Sequence, residues 1–269
     1  MLKATVIAAF YNRIDYLKLV LAGFERQTEK NFELIIADDG SKAEVVEEIE
    51  KLSRSYSFHI KHVWQEDIGF RKNKIFNKAI TESESDYIIF IDADCIPHRS
   101  FVEGHLKFSQ KNTSITGRRV NLSEKITKQL SEENVREGFL ERKKILLIAD
   151  GLFGKSIDVE KGIFLENKFL LKYFNRKKRG LLGCNFSLFK EDLIKINGFD
   201  ERYEAPSIGE DSDVQFRLEL FGIKIKSINH SAVQYHLFHQ LQQRHHKNLE
   251  IFQQVKKSNT AFTPFGLKK

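Results

Sequence analysis

The chain has 269 residues, of which 41% are hydrophobic, 30% charged and 12% aromatic, enough apolar content for one large α/β domain or one domain with an appendage. Only 3 prolines argue against long linkers, and 2 cysteines exclude a disulfide framework or a zinc-ribbon pattern. Lysine and arginine outnumber aspartate and glutamate 44 to 37, and that net +7 favours anionic partners: nucleotide phosphates, acidic glycans, nucleic acid or an anionic membrane face.

Met1–Lys3 leads straight into a strand-like run, and the longest clean apolar stretch is only Tyr87–Ile91. No signal peptide or membrane span is therefore expected. A cytoplasmic protein follows from this, with any membrane association peripheral, at the inner face of the cell membrane. Basic residues cluster at Lys172, Arg176, Lys177, Lys178 and Arg179, and again at Lys256, Lys257, Lys268 and Lys269.

Thr5–Ala9 reads as a buried strand. Leu17, Val20, Leu21 and Phe24 then share one helix face. Glu33–Ala37 is a second strand, and Ser41-Lys42-Ala43-Glu44 has capping-box spacing ahead of a helical stripe at Val45, Ile49 and Leu52, so Ser41 is expected to cap that helix. His59–Val63 is a third strand, Arg71–Ile80 a helix and Tyr87–Ile91 a fourth strand. Such alternation predicts an α/β fold with a mostly parallel sheet flanked by helices.

Beyond residue 120 the pattern loosens. Asn121–Lys144 is polar with helical potential, Leu181–Leu188 resumes as a strand, and Glu191–Ile196 reads as a helix. A further helix runs from Glu210 to Phe221, with Val214, Leu218 and Phe221 on one face and Gly222 as its stop.

In parallel sheets, ligands bind outside the carboxyl ends of the strands. Three strand ends carry polar groups there: Tyr11-Asn12, Asp38-Asp39-Gly40-Ser41 and Asp92-Ala93-Asp94. Two carboxylates at alternate positions suit a hard cation that keeps open sites for phosphate. By itself an Asp-x-Asp after a strand is equally a capping turn. Downstream, Glu210-Asp211-Ser212-Asp213 opens a helix with more acids than a helix N-terminus needs for its dipole.

The ordered series Thr5–Asn12, Ala37-Asp-Asp-Gly-Ser41, Gln65–Arg71 and Ile91-Asp-Ala-Asp94 resembles the nucleotide-binding half of family 2 glycosyltransferases, which have the GT-A (Rossmann-like) fold. Gly183-Cys-Asn-Phe-Ser187, Gly198-Phe-Asp200 and Gly209-Glu-Asp-Ser-Asp213 resemble the galactosyltransferase-like C-terminal segment of chondroitin-polymerase-type and polypeptide N-acetylgalactosaminyltransferase-type proteins. The resemblance covers about residues 3–240. It implies a GT-A domain over 1–239, with a nucleotide-sugar half (1–120) and an acceptor and catalytic half (121–239), followed by a basic helical extension over 240–269.

The resemblance also implies roles. Asp39 would hydrogen-bond the base, with Tyr11 beside base and ribose. Arg71 would approach base or diphosphate, and Asp92 would hold ribose or metal. Asp94 would ligate the metal, with His236 as second ligand and His239 as its substitute. Asn185 would line the donor-sugar pocket, Glu210 would contact the acceptor, and Asp211 would be the catalytic base. The cofactor implied is Mn2+ or Mg2+, and imidazole ligation favours manganese. The partners implied are a nucleotide-sugar donor, UDP above all, and a glycan or lipid-linked glycan acceptor. The reaction implied is a single inverting displacement in polysaccharide or lipid-linked glycan synthesis.

Two other readings remain at this stage. A sugar nucleotidyltransferase also uses a parallel sheet and a carboxylate-bound metal, but usually carries a glycine-rich loop after its first strand, where this chain has Phe10-Tyr-Asn-Arg13. A basic nucleic-acid-binding module has only the net charge in its favour, without a binding motif, so no nucleic-acid partner is expected. Family members often have Trp or Gly just before the acidic pair; the segment Ala205-Pro-Ser-Ile-Gly-Glu210 has no aromatic there, which leaves the acceptor class open.

Overall fold

The computed structural model describes residues 2–206, 209–240 and 246–268. The first hundred residues form strands β1 Ala4–Phe10, β2 Phe32–Asp38, β3 His59–Trp64 and β4 Tyr87–Asp92. Helices α1 Ile14–Glu25, α2 Ala43–Ser53 and α3 Lys72–Glu82 connect them, which is the alternation read from the sequence. Short strands β5 Cys95–Pro97, β6 Thr113–Thr116 and β7 Arg118–Asn121 follow, with helix α4 Phe101–Lys107 between β5 and β6.

The middle of the chain is a run of short helices: α5 Glu124–Thr127, α6 Glu132–Arg136, α7 Phe139–Arg142, α8 Lys144–Leu152 and, after a 3₁₀ turn at Val159–Gly162, α9 Lys168–Phe174. Strand β8 Asn185–Phe189, helix α10 Lys190–Lys195, helix α11 Asp211–Leu220, strands β9 Lys224–Ser227 and β10 Val233–His236, and helix α12 His246–Ser258 complete it.

The main sheet has seven strands in the order β3-β2-β1-β4-β8-β6-β9. β1 to β4 are mutually parallel, and β8 runs antiparallel between β4 and β6. The fold is thus α/β with a mixed, mostly parallel sheet. Its central strands are buried along almost their whole length because both faces are covered. Val6, Ala8, Ile89 and Ile91 enter one core with α1, while Ile7, Ile88 and Phe90 enter the other with α3. Phe90 stacks on Phe186 of β8 at 4.6 Å between ring centroids, fastening the two halves of the sheet together.

A second sheet, β5-β10-β7, sits beyond the end of β4. Its strands are three or four residues long, too short for a readable alternation, and the sequence gives no warning of them.

Two local expectations are corrected. Ser41 does not cap α2: the N-cap position is Lys42, and the Ser41 hydroxyl donates to Asp38 Oδ1 at 2.6 Å while accepting from the Asn12 amide at 2.8 Å. It ties two strand ends together instead. Phe221 is not on the buried face of α11; it is 48% exposed, while Val214 and Leu218 are fully buried.

The C-terminal residues pack onto the body. Ile251 and Val255 of α12 form a small core with Tyr203, and the Asn197 side chain donates to the carbonyls of Thr263 (2.7 Å) and Lys268 (3.0 Å).

Candidate active site

The register Phe10↔Asp38 and Ala9↔Asp92 places the ends of β1, β2 and β4 at one level. A cleft of about 830 Å³ opens there, lined among others by Tyr11, Asp39, Asp67, Lys72, Asp92, Asp94 and His239. Crevices at the carboxyl edge of such sheets are where ligands bind.

The two adjacent aspartates of the second strand end divide their work. Asp38 is fully buried and structural, accepting from the Ser41 amide and hydroxyl and lying 2.9 Å from His62 Nε2. Asp39 faces the cleft. Its two oxygens accept from the Gln65 side-chain amide at 2.6 Å and the Arg71 backbone amide at 2.7 Å. Burial raises its pKa, and those two donors oppose the rise. Gly40 turns the chain directly after them: it has φ +97°, and a Cβ there would lie 2.6 Å from the Asp67 backbone. Asp67 in turn accepts from the Tyr11 hydroxyl at 3.0 Å, holding that exposed ring at the cleft mouth.

Arg71 stands apart from the cleft lining. Its guanidinium is bonded to the Glu66 carbonyl of its own loop, while its backbone amide donates to Asp39 and its charge helps to hold the Asp39 pKa down. The neighbour Lys72, which the sequence analysis passed over, does line the cleft. Its ammonium lies 2.8 Å from Asp92 and 2.8 Å from Glu210, joining the end of β4 to the start of α11. Burial would lower its pKa, but the two carboxylates raise it well above the usual lysine value. One signal was available: a lysine in the first turn of a helix opposes the macrodipole, and a local acidic partner offsets that.

Asp211 heads α11, and one of its oxygens accepts from the Gly183 amide at 3.1 Å. Burial raises its pKa above the ordinary aspartate value, the direction that makes a carboxylate a better base. Glu210 is raised by burial as well, with Lys72 opposing. Gly209 has φ +117° and packs so closely on the Tyr203 ring that a side chain would clash with it, which fixes the approach to Glu210. Ser207 and Ile208, in the segment without an aromatic, lie outside the described residues. Asp213 belongs to the fold: it is fully buried and paired with Arg217 at 2.6 Å.

Asn185 is fully buried, with its amide nitrogen donating to the Arg118 and Ala232 carbonyls and its oxygen 3.1 Å from His105 Nε2. It does not line the cleft. Every polar atom of its side chain is committed inside the protein, so its place is in the core between the two sheets, a correction to the donor-pocket expectation.

Antiparallel pairing of β10 with β5 sets His236 opposite Cys95, directly beside Asp94. Asp94 Oδ2 lies 3.4 Å from His236 Nε2 and 3.2 Å from His239 Nε2, and the two imidazole nitrogens are 3.1 Å apart. Three donors at these separations match adjacent corners of an octahedron with bonds of about 2.2–2.4 Å, a fit for a divalent cation with nitrogen and oxygen ligands. His239 Nδ1 lies 2.9 Å from the Gln240 carbonyl, an arrangement that puts the ring proton on Nδ1 and leaves Nε2 free to ligate. The sequence reading took the two histidines as alternatives; the structure brings both to Asp94.

Burial would raise Asp94, and the hydrogen bonds from His236 and His239 outweigh it and hold the carboxylate far below the usual range. Cys95 Sγ lies 3.3 Å from Asp94 Oδ1, but burial pushes its thiol up, away from the thiolate form that would ligate. Arg119, also missed in the sequence, lies 3.4 Å from Cys184 and adds positive charge behind the two cysteines.

Comparisons with known proteins identify the family. The model of glycosyl transferase family 2 matches residues 5–179. The chain belongs to this family. A second model, described as the N-terminal domain of galactosyltransferase, matches residues 167–241. Family membership sets aside the nucleotidyltransferase and nucleic-acid readings.

Among curated relatives, the chain is 25% identical over 247 residues to a chondroitin synthase of Escherichia coli, covering 86% of this chain and 34% of the relative. It is 34% identical over 92 residues to a cholesterol galactosyltransferase of Borreliella burgdorferi, covering 34% and 25%. It thus spans about a third or less of the length of these two relatives. Of solved structures, that of GalNAc-T7 with UDP, GalNAc and Mn2+ aligns at a TM-score of 0.65 and 13% identity over 96% of this chain and 48% of that one. A mannosyltransferase of Pyrobaculum calidifontis with GDP-Man and Mn2+ aligns at 0.56 and 14% identity over 87% and 56%. These likenesses establish the GT-A fold.

Proposed function

We propose that this family 2 glycosyltransferase moves a hexosyl or N-acetylhexosaminyl group from a uridine diphosphate sugar to a hydroxyl of a glycan or lipid-linked glycan, with inversion. The observation that carries the reading is the cation-donor triad Asp94–His236–His239 on the same sheet edge as the nucleotide cleft, with Lys72 linking that edge to the carboxylates heading α11.

Asp39 accepts from the imide of the base, where each of its oxygens retains a lone pair beyond the donor it already has, and Tyr11 covers base and ribose. Asp92 holds ribose or metal. A bound Mn2+ or Mg2+ supplies Lewis-acid neutralisation of the charge gathering on the departing diphosphate. Glu210 contacts the acceptor. Asp211 takes the proton of the acceptor hydroxyl as the new C–O bond forms and the bond from the anomeric carbon to the diphosphate oxygen breaks. Arg71 acts through its backbone, positioning Asp39, and Asn185 supports the scaffold behind the site.

Support for UDP comes from the GalNAc-T7 neighbour, and support for glycan assembly comes from the likeness to chondroitin synthase. The test is calorimetric binding of UDP, GDP and dTDP, each with Mn2+ and with excess chelator. The expected outcome is Mn2+-dependent binding of UDP, lost in Asp94→Ala. Absence of nucleotide binding under every condition would overturn the donor assignment.

A further inference from the structure

Helix α9 is anchored on one side only. Leu171 is buried beneath it, and Asn175 pins its end by donating to the Leu171 (2.8 Å) and Asn229 (3.1 Å) carbonyls. Yet Phe169 is 85% exposed and Tyr173 61% exposed. Helix α8 shows the same pattern, with Ile145, Leu152 and Phe153 each more than 80% exposed.

The two helices are linked through one chain of contacts. α8 packs on the 3₁₀ turn Val159–Gly162, the next residue, Ile163, offers its carbonyl to His230 Nδ1 at 2.8 Å, and the His230 ring meets Phe174 at 4.9 Å. Large exposed apolar side chains concentrated on two successive helices mark an interaction site.

Charge identifies the occupant. Residues 143–179 hold ten basic and four acidic side chains, a net +6 of the chain's +7. Lys144, Lys155, Lys168 and Lys172 are exposed among the apolar residues, and Arg176-Lys177-Lys178-Arg179 follows α9 directly, exposed throughout. Protein–protein interfaces are depleted in lysine, whereas surfaces that enter the headgroup layer interleave aromatics with lysine and arginine. No helix among the described residues is long and apolar enough to cross a membrane.

We propose that the face formed by α8, α9 and residues 176–179 docks on an anionic lipid bilayer, the apolar side chains entering the headgroup boundary and the basic run contacting lipid phosphates. The run continues into the loop whose Gly183 amide holds Asp211, so the docked surface adjoins that end of the site.

The experiment is vesicle flotation of the full chain, with phosphatidylcholine vesicles and with phosphatidylcholine containing phosphatidylglycerol. Two double variants accompany it: Phe169→Ser with Tyr173→Ser, and Lys177→Glu with Arg179→Glu. Wild type is expected to float with the anionic vesicles alone, less so at high salt, and each double variant to bind at least about tenfold more weakly. All four side chains are exposed, so thermal melts and Mn2+–UDP binding should match wild type and show that the variants fold. Flotation independent of phosphatidylglycerol, or undiminished in either variant, would overturn the proposal. So would a wild-type dimer that ignores vesicles and falls apart in the Phe169→Ser variant, because the face would then be a self-interface.

Discussion

At the scale of single residues, the site is governed by how burial and neighbours set charge. Asp211→Asn removes the proposed base while keeping its shape, so kcat should fall about 10²–10⁴-fold with UDP affinity little changed. Because burial raises the Asp211 pKa, its protonated form persists to higher pH than that of an exposed aspartate. A base works only when unprotonated, so kcat/KM should decline as pH falls through that raised value. A pH–rate profile whose acid limb lay at the ordinary aspartate pKa of about 3.9 would contradict this.

Lys72 obeys the complementary rule. In Lys72→Met two partly buried carboxylates lose their cation, and unfolding measurements should show a loss of about 3–5 kcal/mol. Adding Glu210→Gln should recover part of it, since one of the stranded charges is then gone.

Legibility at this scale was uneven. Asp39, Asp92 and Asp94 could be picked out because each sits at the end of an apolar strand, a local pattern. The resemblance points to Arg71 and not to Lys72, and only the turn of α3 decides which of two adjacent side chains lines the cleft. Asn185 carried no local mark of burial. Its amide is committed to Arg118 and Ala232, residues distant in sequence.

Among elements, the strand-end turns control the geometry. Gly40 occupies the left-handed region and touches the Asp67 backbone, so Gly40→Ala should cost roughly 1–2 kcal/mol from backbone strain alone. The displaced Asp67 would release Tyr11, so the variant should show both a lower Tm and weaker UDP binding; a change in neither would mean the turn tolerates a side chain. The misassigned cap belongs here too. Ser41 had the right spacing for a capping box, but the Asp38 carboxylate and the Asn12 amide, brought close by strand pairing, compete for its hydroxyl and win. The short strands β5, β7 and β10 exist because they pair with one another, not because their residues favour strands strongly.

At the level of the whole molecule, the C-terminal residues close the structure. Asn197 adopts φ 64° and accepts from the Lys268 amide at 2.8 Å while donating to Thr263 and Lys268 carbonyls. Asn197→Ala loses these bonds and strains the turn, so a drop of about 2–4 kcal/mol is expected in denaturant unfolding, with a larger share of the C-terminal segment open to protease. Cleavage and stability equal to wild type would show that α12 and the backbone bonds of Thr263, Phe265 and Leu267 hold the segment without the Asn197 side chain.

The sequence by itself determined the parallel half of this protein: where its strands run, that both faces of the sheet are covered, and that carboxylates gather at one edge. Those features depend on periodicity and on strand ends, which neighbours in the chain encode. Tertiary structure alone decided that both His236 and His239 reach Asp94, that Lys72 bridges Asp92 to Glu210, and that Asn185 is core. Each depends on contacts between segments that lie from tens to more than a hundred residues apart, where the favourable contact is invisible until the chain has folded to make it.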